Sequence, residues 1–267
     1  MKNSNPLRGK TSLLLAVAMA LVLPEAPALA GQEIISVPTR PGVTVQVFLN
    51  TPATPAKAVV VMFPGKDGAI MRVQGNFLVR TSPKFAQQGL AVAIVDAPSD
   101  QPSGMSAGFR KSPEHTQDIR KIIDFLDAQR LKPIYLVANS LGTVSVAYLG
   151  MELQDSRIKG LVFTSTVVGS GVALGSTLSR ITLPVLIVHH RDDGCKVSPF
   201  LKAVELKKTL SGSPRVDLVE VQGGGGGRES DPCTGMGYHG FLGREDEVVQ
   251  LIANWIAGKQ VPAQIGK

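Results

Sequence analysis

The chain has 267 residues and a formal net charge of +7, its 28 lysines and arginines outweighing 21 aspartates and glutamates. The cations are scattered rather than gathered into a run, which leaves no nucleic-acid footprint. The length suits one large domain with a full core, and no repeat or linker divides it.

The first 30 residues stand apart. Lys2, Arg8 and Lys10 make a positive start, Ser12 to Leu23 is a short apolar run, and Pro24 breaks it before Ala28-Leu29-Ala30. This is the pattern of a secretory signal peptide cleaved after Ala30. An apolar run of 12 residues is shorter than the roughly 20 that a spanning helix needs, so no stable membrane anchor is expected. The mature chain, 31–267, would carry +5 and work in a secreted or periplasmic setting. In that oxidising environment the two cysteines, Cys195 and Cys233, favour a disulfide.

Two runs with period-two alternation follow, "EIISVP" and "VTVQVFLN", separated by Pro41-Gly42, and they predict an antiparallel opening pair. Then come six short, nearly unbroken apolar runs, at 58–63, 90–97, 133–139, 160–166, 184–190 and 216–222. Runs of this kind fit strands buried on both faces of a parallel sheet. Helix-period segments lie between several of them. One starts at Ser112 as N-cap with Pro113 and Glu114 in its first turn. Another, "LGTVSVAYLGMEL", is apolar nearly all round, a third begins after Ser198-Pro199, and "DEVVQLIANWIAG" ends on a glycine stop. The predicted architecture is α/β: about eight mostly parallel strands with helices on both faces.

Chemistry gathers at three strand ends. "IYLVANSLGTVSV" runs from strand through Asn139-Ser140-Leu141-Gly142 directly into a helix. That setting suits a nucleophile elbow, a strained turn that needs small residues two before and two after the serine. Ala138 and Gly142 fill those places, with alanine departing from the usual glycine by one methyl. "HHRDDGCKVSP", residues 189–199, follows a later strand and packs His189, His190, Asp192, Asp193 and Cys195 together. A metal site would need three or four ligands meeting in space, and adjacent side chains on a strand point to opposite faces, so no metal is expected here. His239 lies between Gly237 and Gly240, ahead of the last helix, on a loop whose glycines leave it free to point at a site.

The order serine, aspartate, histidine on successive strand ends resembles the α/β-hydrolase family, and the resemblance covers essentially the whole mature chain. It implies an esterase-like or dienelactone-hydrolase-like serine hydrolase with Ser140, Asp193 and His239 as its triad and no cofactor. In lidless relatives the acid commonly stands four residues after a histidine, which favours Asp193 over the alternative, Asp192. The turn "FPGKDG" takes the place of the family's oxyanion loop, with Pro64 where a histidine is common. The implied donors are therefore the backbone N–H groups of Lys66 and Leu141. A Cys195–Cys233 bridge would tie the acid loop to the base loop despite the "GGGGG" run at 223–227.

Only residues 167–183 separate the strand after the elbow helix from the next, too few for a large helical lid, which implies an open site. Ile70, Met71 and Phe77 are candidate apolar walls, with ordinary core packing the alternative. The implied partner is a small-molecule acyl substrate. A peptidase or thioesterase would use the same triad, and a binding protein could retain the fold without catalysis.

Overall fold

The computed structural model describes Met1 and residues 31–168, 175–225 and 230–266. Most of the segment expected to be a signal peptide, four residues at and beyond the end of the glycine run, and six residues of the 167–183 segment expected to be too short for a lid lie outside these. The eight predicted strands form in order, as β1 (Gly31–Arg40), β2 (Val43–Thr51), β3 (Val59–Phe63), β4 (Ala91–Val95), β5 (Ile134–Asn139), β6 (Ile158–Thr164), β7 (Val185–His190) and β8 (Val216–Val221). A ninth, β9 (Gln264–Ile265), pairs parallel with β8 beyond the glycine stop. Two residues carry no readable periodicity, which is why the chain's end gave no strand signal.

The strand order is β1-β2-β4-β3-β5-β6-β7-β8-β9. β1 and β2 pair antiparallel, β2 joins β4 antiparallel, and every later pairing is parallel. Helices α2 (Pro113–Ala128), α3 (Gly142–Glu152) and α4 (Phe200–Thr209) cover one face. There Ile119, Ile122, Val146 and Ala203 share one core with Val59, Val61 and Phe63. Helices α1 (Phe77–Gln87) and α5 (Glu245–Ile256) cover the other, where Phe77, Phe85, Ile252 and Trp255 share a second core with Val60, Met62 and Val137. The central strands are buried at every position because alternate side chains serve two separate cores.

Helix α1 was not legible in the sequence. Pro83 sits inside it, a residue that removes a helical N–H and ordinarily ends a helix. What holds the helix is its N-cap, Asn76, whose side chain accepts from the Leu78 N–H, and the burial of Phe77, Leu78, Thr81 and Phe85 along one side. Ser112 caps α2 as predicted, accepting from the His115 N–H at 3.1 Å. Phe77 belongs to the core, edge-on to Phe85 and Phe241, which settles it as packing rather than a wall of the site.

β3 and β5 are neighbours, yet the chain leaves β3 toward β4 on one side and reaches β5 on the other. This is the switch point where an open α/β sheet leaves a crevice beyond its strand ends. Here α3 starts so close to β3 that a Cβ on Gly142 would lie 1.9 Å from the Phe63 carbonyl oxygen. Gly142→Ala should destabilise the fold by about 3 kcal/mol, the upper end of overpacking costs, or roughly 6–12 °C in Tm for a domain of this size. An unchanged melting temperature would count against this contact.

Candidate active site

Ser140 follows β5 with φ of +52°, in the left-handed region that a non-glycine residue rarely occupies. The turn is held by the Ser140 N–H donating to Thr164 O at 3.0 Å and by the Thr143 hydroxyl donating to Ser140 O at 2.6 Å. Across the switch point, Gly65 passes under the serine: a Cβ there would stand 2.7 Å from Ser140 Cβ. Lys66 follows with φ of +49°, and the Gly68 N–H closes the turn on Gly65 O at 3.0 Å. Among the described residues neither the Lys66 nor the Leu141 N–H donates to another protein group.

Of the two aspartates, Asp193 is buried and reaches His239, its Oδ2 lying 2.8 Å from Nδ1. Asp192 is exposed and instead lends its backbone N–H to His190 Nδ1 at 3.0 Å. The Asp193 carboxylate is enclosed by donors. Cys195 N–H donates to Oδ1 at 2.9 Å, the Ser198 hydroxyl donates to Oδ2 at 2.9 Å, and His189 Nε2 lies 3.5 Å from Oδ2. Burial alone would raise its pKa, but hydrogen bonding from His189 and His239 outweighs it and holds the carboxyl well below the usual carboxylate range. An ionised acceptor on Nδ1 assigns the proton of a neutral His239 to Nδ1. The lone pair is left on Nε2, which is buried and has no hydrogen-bond partner among the described residues.

Ser198 is the residue the sequence did not reveal. Read as the start of α4, it lies two residues before Phe200, and Pro199 occupies the N-cap position. Its hydroxyl faces both Asp193 and His239, lying 3.1 Å from His239 Nδ1. His189 and His190 have their ring nitrogens engaged by backbone groups. Thr166 N–H donates to His189 Nδ1 at 3.3 Å, so its Nε2–H donates to Ser198 O at 2.7 Å. His190 Nε2 donates to Gly223 O at 2.9 Å while the ring stacks on Tyr238 at 4.2 Å.

The histidine loop is pinned rather than free. Arg80 Nη2 donates to Gly235 O at 3.1 Å and to Gly240 O, and the Ser165 hydroxyl donates to His239 O at 2.7 Å. The glycines are there for close approach, since a Cβ on Gly240 would lie 1.8 Å from Gly235 O. A disulfide joins Cys195 to Cys233, 38 residues apart, and so links the turn carrying Asp193 to the loop carrying His239.

Ser140 and His239 line one cavity of about 110 Å³, together with Lys66, Asn76, Thr234 and Met236. Ile70 and Met71 do not reach it. They border a separate groove of about 580 Å³ between β1, β2 and α1, which shares no lining residue with the Ser140 cavity. The Ile70 N–H donates to Asp96 at 2.9 Å, and Met71 faces solvent.

No protein-family model and no curated protein sequence matches the chain. Solved structures do. An esterase from Pyrococcus furiosus matches with a TM-score of 0.63 at 13% identity, over 86% of this chain and 93% of its own. An alpha-beta serine hydrolase homologue from Coxiella burnetii matches at 0.60 and 17%, over 84% and 97%. A predicted CIB-like hydrolase from Thermoplasma acidophilum matches at 0.59 and 17%, over 86% and 99%. The mostly parallel nine-stranded sheet, with helices on both faces and its crevice at the β3–β5 switch, is the α/β-hydrolase fold.

Proposed function

We propose that the protein is a serine hydrolase that cleaves a carboxylic ester or related acyl substrate through an acyl-enzyme. The observation that carries this reading is the Asp193–His239 pair at 2.8 Å, whose unpartnered Nε2 belongs to a ring lining the same cavity as Ser140. In the reaction Ser140 Oγ attacks the acyl carbonyl while His239 Nε2 takes its proton. Asp193 orients the imidazole and stabilises its charged form. The Lys66 and Leu141 N–H groups receive the tetrahedral oxyanion, a kind of donor whose loss costs about 10²–10³ in kcat. His239 then returns the proton to the leaving alcohol, and water repeats the sequence on the acyl-enzyme. The esterase among the structural neighbours supports the choice of ester.

The same reading makes residues 1–30 a signal peptide removed after Ala30 and places the protein in a secreted or periplasmic setting. The Cys195–Cys233 disulfide supports that setting. Among the described residues no helix is long and apolar enough to cross a membrane.

Three measurements test the reading. A fluorophosphonate probe should label the wild type and not Ser140→Ala, and short-chain ester turnover should fall at least about 10³-fold in that variant; equal labelling of both would sink the assignment. Asp193 has a folded-state pKa below its unfolded value. Its ionisation therefore contributes stability above the unfolded range near 4, and this is lost as pH falls further. The Tm gap between wild type and Asp193→Asn should accordingly be widest at pH 7 and shrink at pH 3, and a gap independent of pH would contradict it. Reduction of the disulfide should lower turnover at temperatures where the far-ultraviolet circular dichroism is unchanged. The stability it removes should be on the order of 3–4 kcal/mol for a 38-residue loop. Unchanged activity and Tm would reject the tether.

A further inference from the structure

Arg110 has no place in the chemistry above, yet among the described residues it is the largest side chain buried completely. It stands in a 3-10 turn, Phe109–Lys111, just before α2. No carboxylate forms an ion pair with it among the described residues. Its guanidinium spends its hydrogen bonds on three neutral acceptors instead. Nη1 donates to the Ser145 hydroxyl at 3.0 Å, and Nη2 donates to Pro64 O at 3.1 Å and to Lys66 O at 3.2 Å. Burial lowers its pKa to about 10, with the charge of Asp67 pulling the other way, so the group is cationic at neutral pH. A buried charge held by neutral acceptors is costly compared with an apolar residue of the same volume. Packing alone does not call for it.

The three acceptors have one thing in common. Pro64 O and Lys66 O belong to the peptide groups immediately before and after the Gly65–Lys66 peptide, whose N–H is one proposed oxyanion donor. That middle peptide is itself fixed by the Gly68 N–H on Gly65 O at 3.0 Å. Ser145 lies on α3, whose start carries the second proposed donor, Leu141. One rigid guanidinium therefore ties together the two segments that supply the two donors. Room for it depends on Gly68, where a Cβ would come within 2.6 Å of Arg110 Nη2.

We infer that Arg110 is a positioning residue for the oxyanion site, a charged brace that spaces the Lys66 N–H against the Leu141 N–H from behind the cavity. This rests on the serine-hydrolase reading. The planar fork holds two carbonyls with one nitrogen and the α3 hydroxyl with the other. This turns the carbonyls flanking Lys66 away from the substrate and leaves the N–H between them facing it. Lysine has no such fork and cannot hold both arms.

The test compares wild type, Arg110→Met, Arg110→Lys and Ser145→Ala, using a short-chain ester and an alkyl boronic acid, which captures the serine as a tetrahedral anion. Arg110→Met should lose about 100-fold in kcat with KM within about threefold, since loosening a donor by about 1 Å costs that much in the transition state and little in the ground state. Boronic acid affinity should fall by a similar factor. Ser145→Ala cuts only the α3 arm and should lose about tenfold in both, and it serves as the readout if Arg110→Met does not fold. Arg110→Lys should fall between the two and not restore wild-type affinity. Variants with a lowered Tm but wild-type kcat and boronic acid affinity would show Arg110 to be structural only and overturn the inference. A wild type without Ser140-dependent turnover would overturn the serine-hydrolase reading and the inference with it.

Discussion

Everything at the candidate site depends on how closely the end of β3 and the start of α3 can approach. Gly142 meets the Phe63 carbonyl with no space for a side chain, and Gly65 passes directly beneath Ser140. Two backbones this near leave the peptide groups of one turn facing those of the other across a gap narrower than any side chain could fill. The strained φ values of Ser140 and Lys66 follow from it, because each chain must bend sharply to leave the sheet without crossing the other. Such strain is tolerable only where the surroundings over-determine it. Here β3 and β5 are buried at nearly every position between two cores.

The second organising feature is the way buried polarity is handled around Asp193. Asp193 lies in a region where an isolated carboxylate would be very costly, yet three hydrogen-bond donors reach it and the His189 ring lies 3.5 Å away. These four groups come from a turn, a residue before a helix, a distant loop and the end of a strand. The carboxylate thus acts as the point on which these segments converge, so removing it would disturb the geometry of all four. His189, which looks on paper like a metal ligand, spends its Nε2–H on Ser198 O and so fixes the residue whose hydroxyl meets the acid.

Much of this architecture could be read from the sequence. The apolar runs marked eight strands, since a strand buried on both faces leaves an unmistakable block of valine and isoleucine. The strand-to-helix junction at Ser140 was legible because its small neighbours are a steric requirement. Helix α1 was hidden by Pro83, whose local cost is outweighed by burial of Phe77 and Phe85, a tertiary effect no local pattern carries. The histidine loop was misread as free because glycine signals flexibility and close approach alike, and only the surrounding backbone distinguishes them. Ser198 and Arg110 gave no signal, since a serine before proline and an arginine in a polar stretch ordinarily face water.

The disulfide has a topological consequence. Cys195 and Cys233 close a loop that contains α4, β8 and the glycine run, while the three residues assigned to catalysis lie outside it. Proteolytic cleavage anywhere between those cysteines would leave the two fragments covalently joined, with Asp193 beside one sulfur and His239 beyond the other. The bridge would thus keep the Asp193 and His239 segments of a nicked molecule connected.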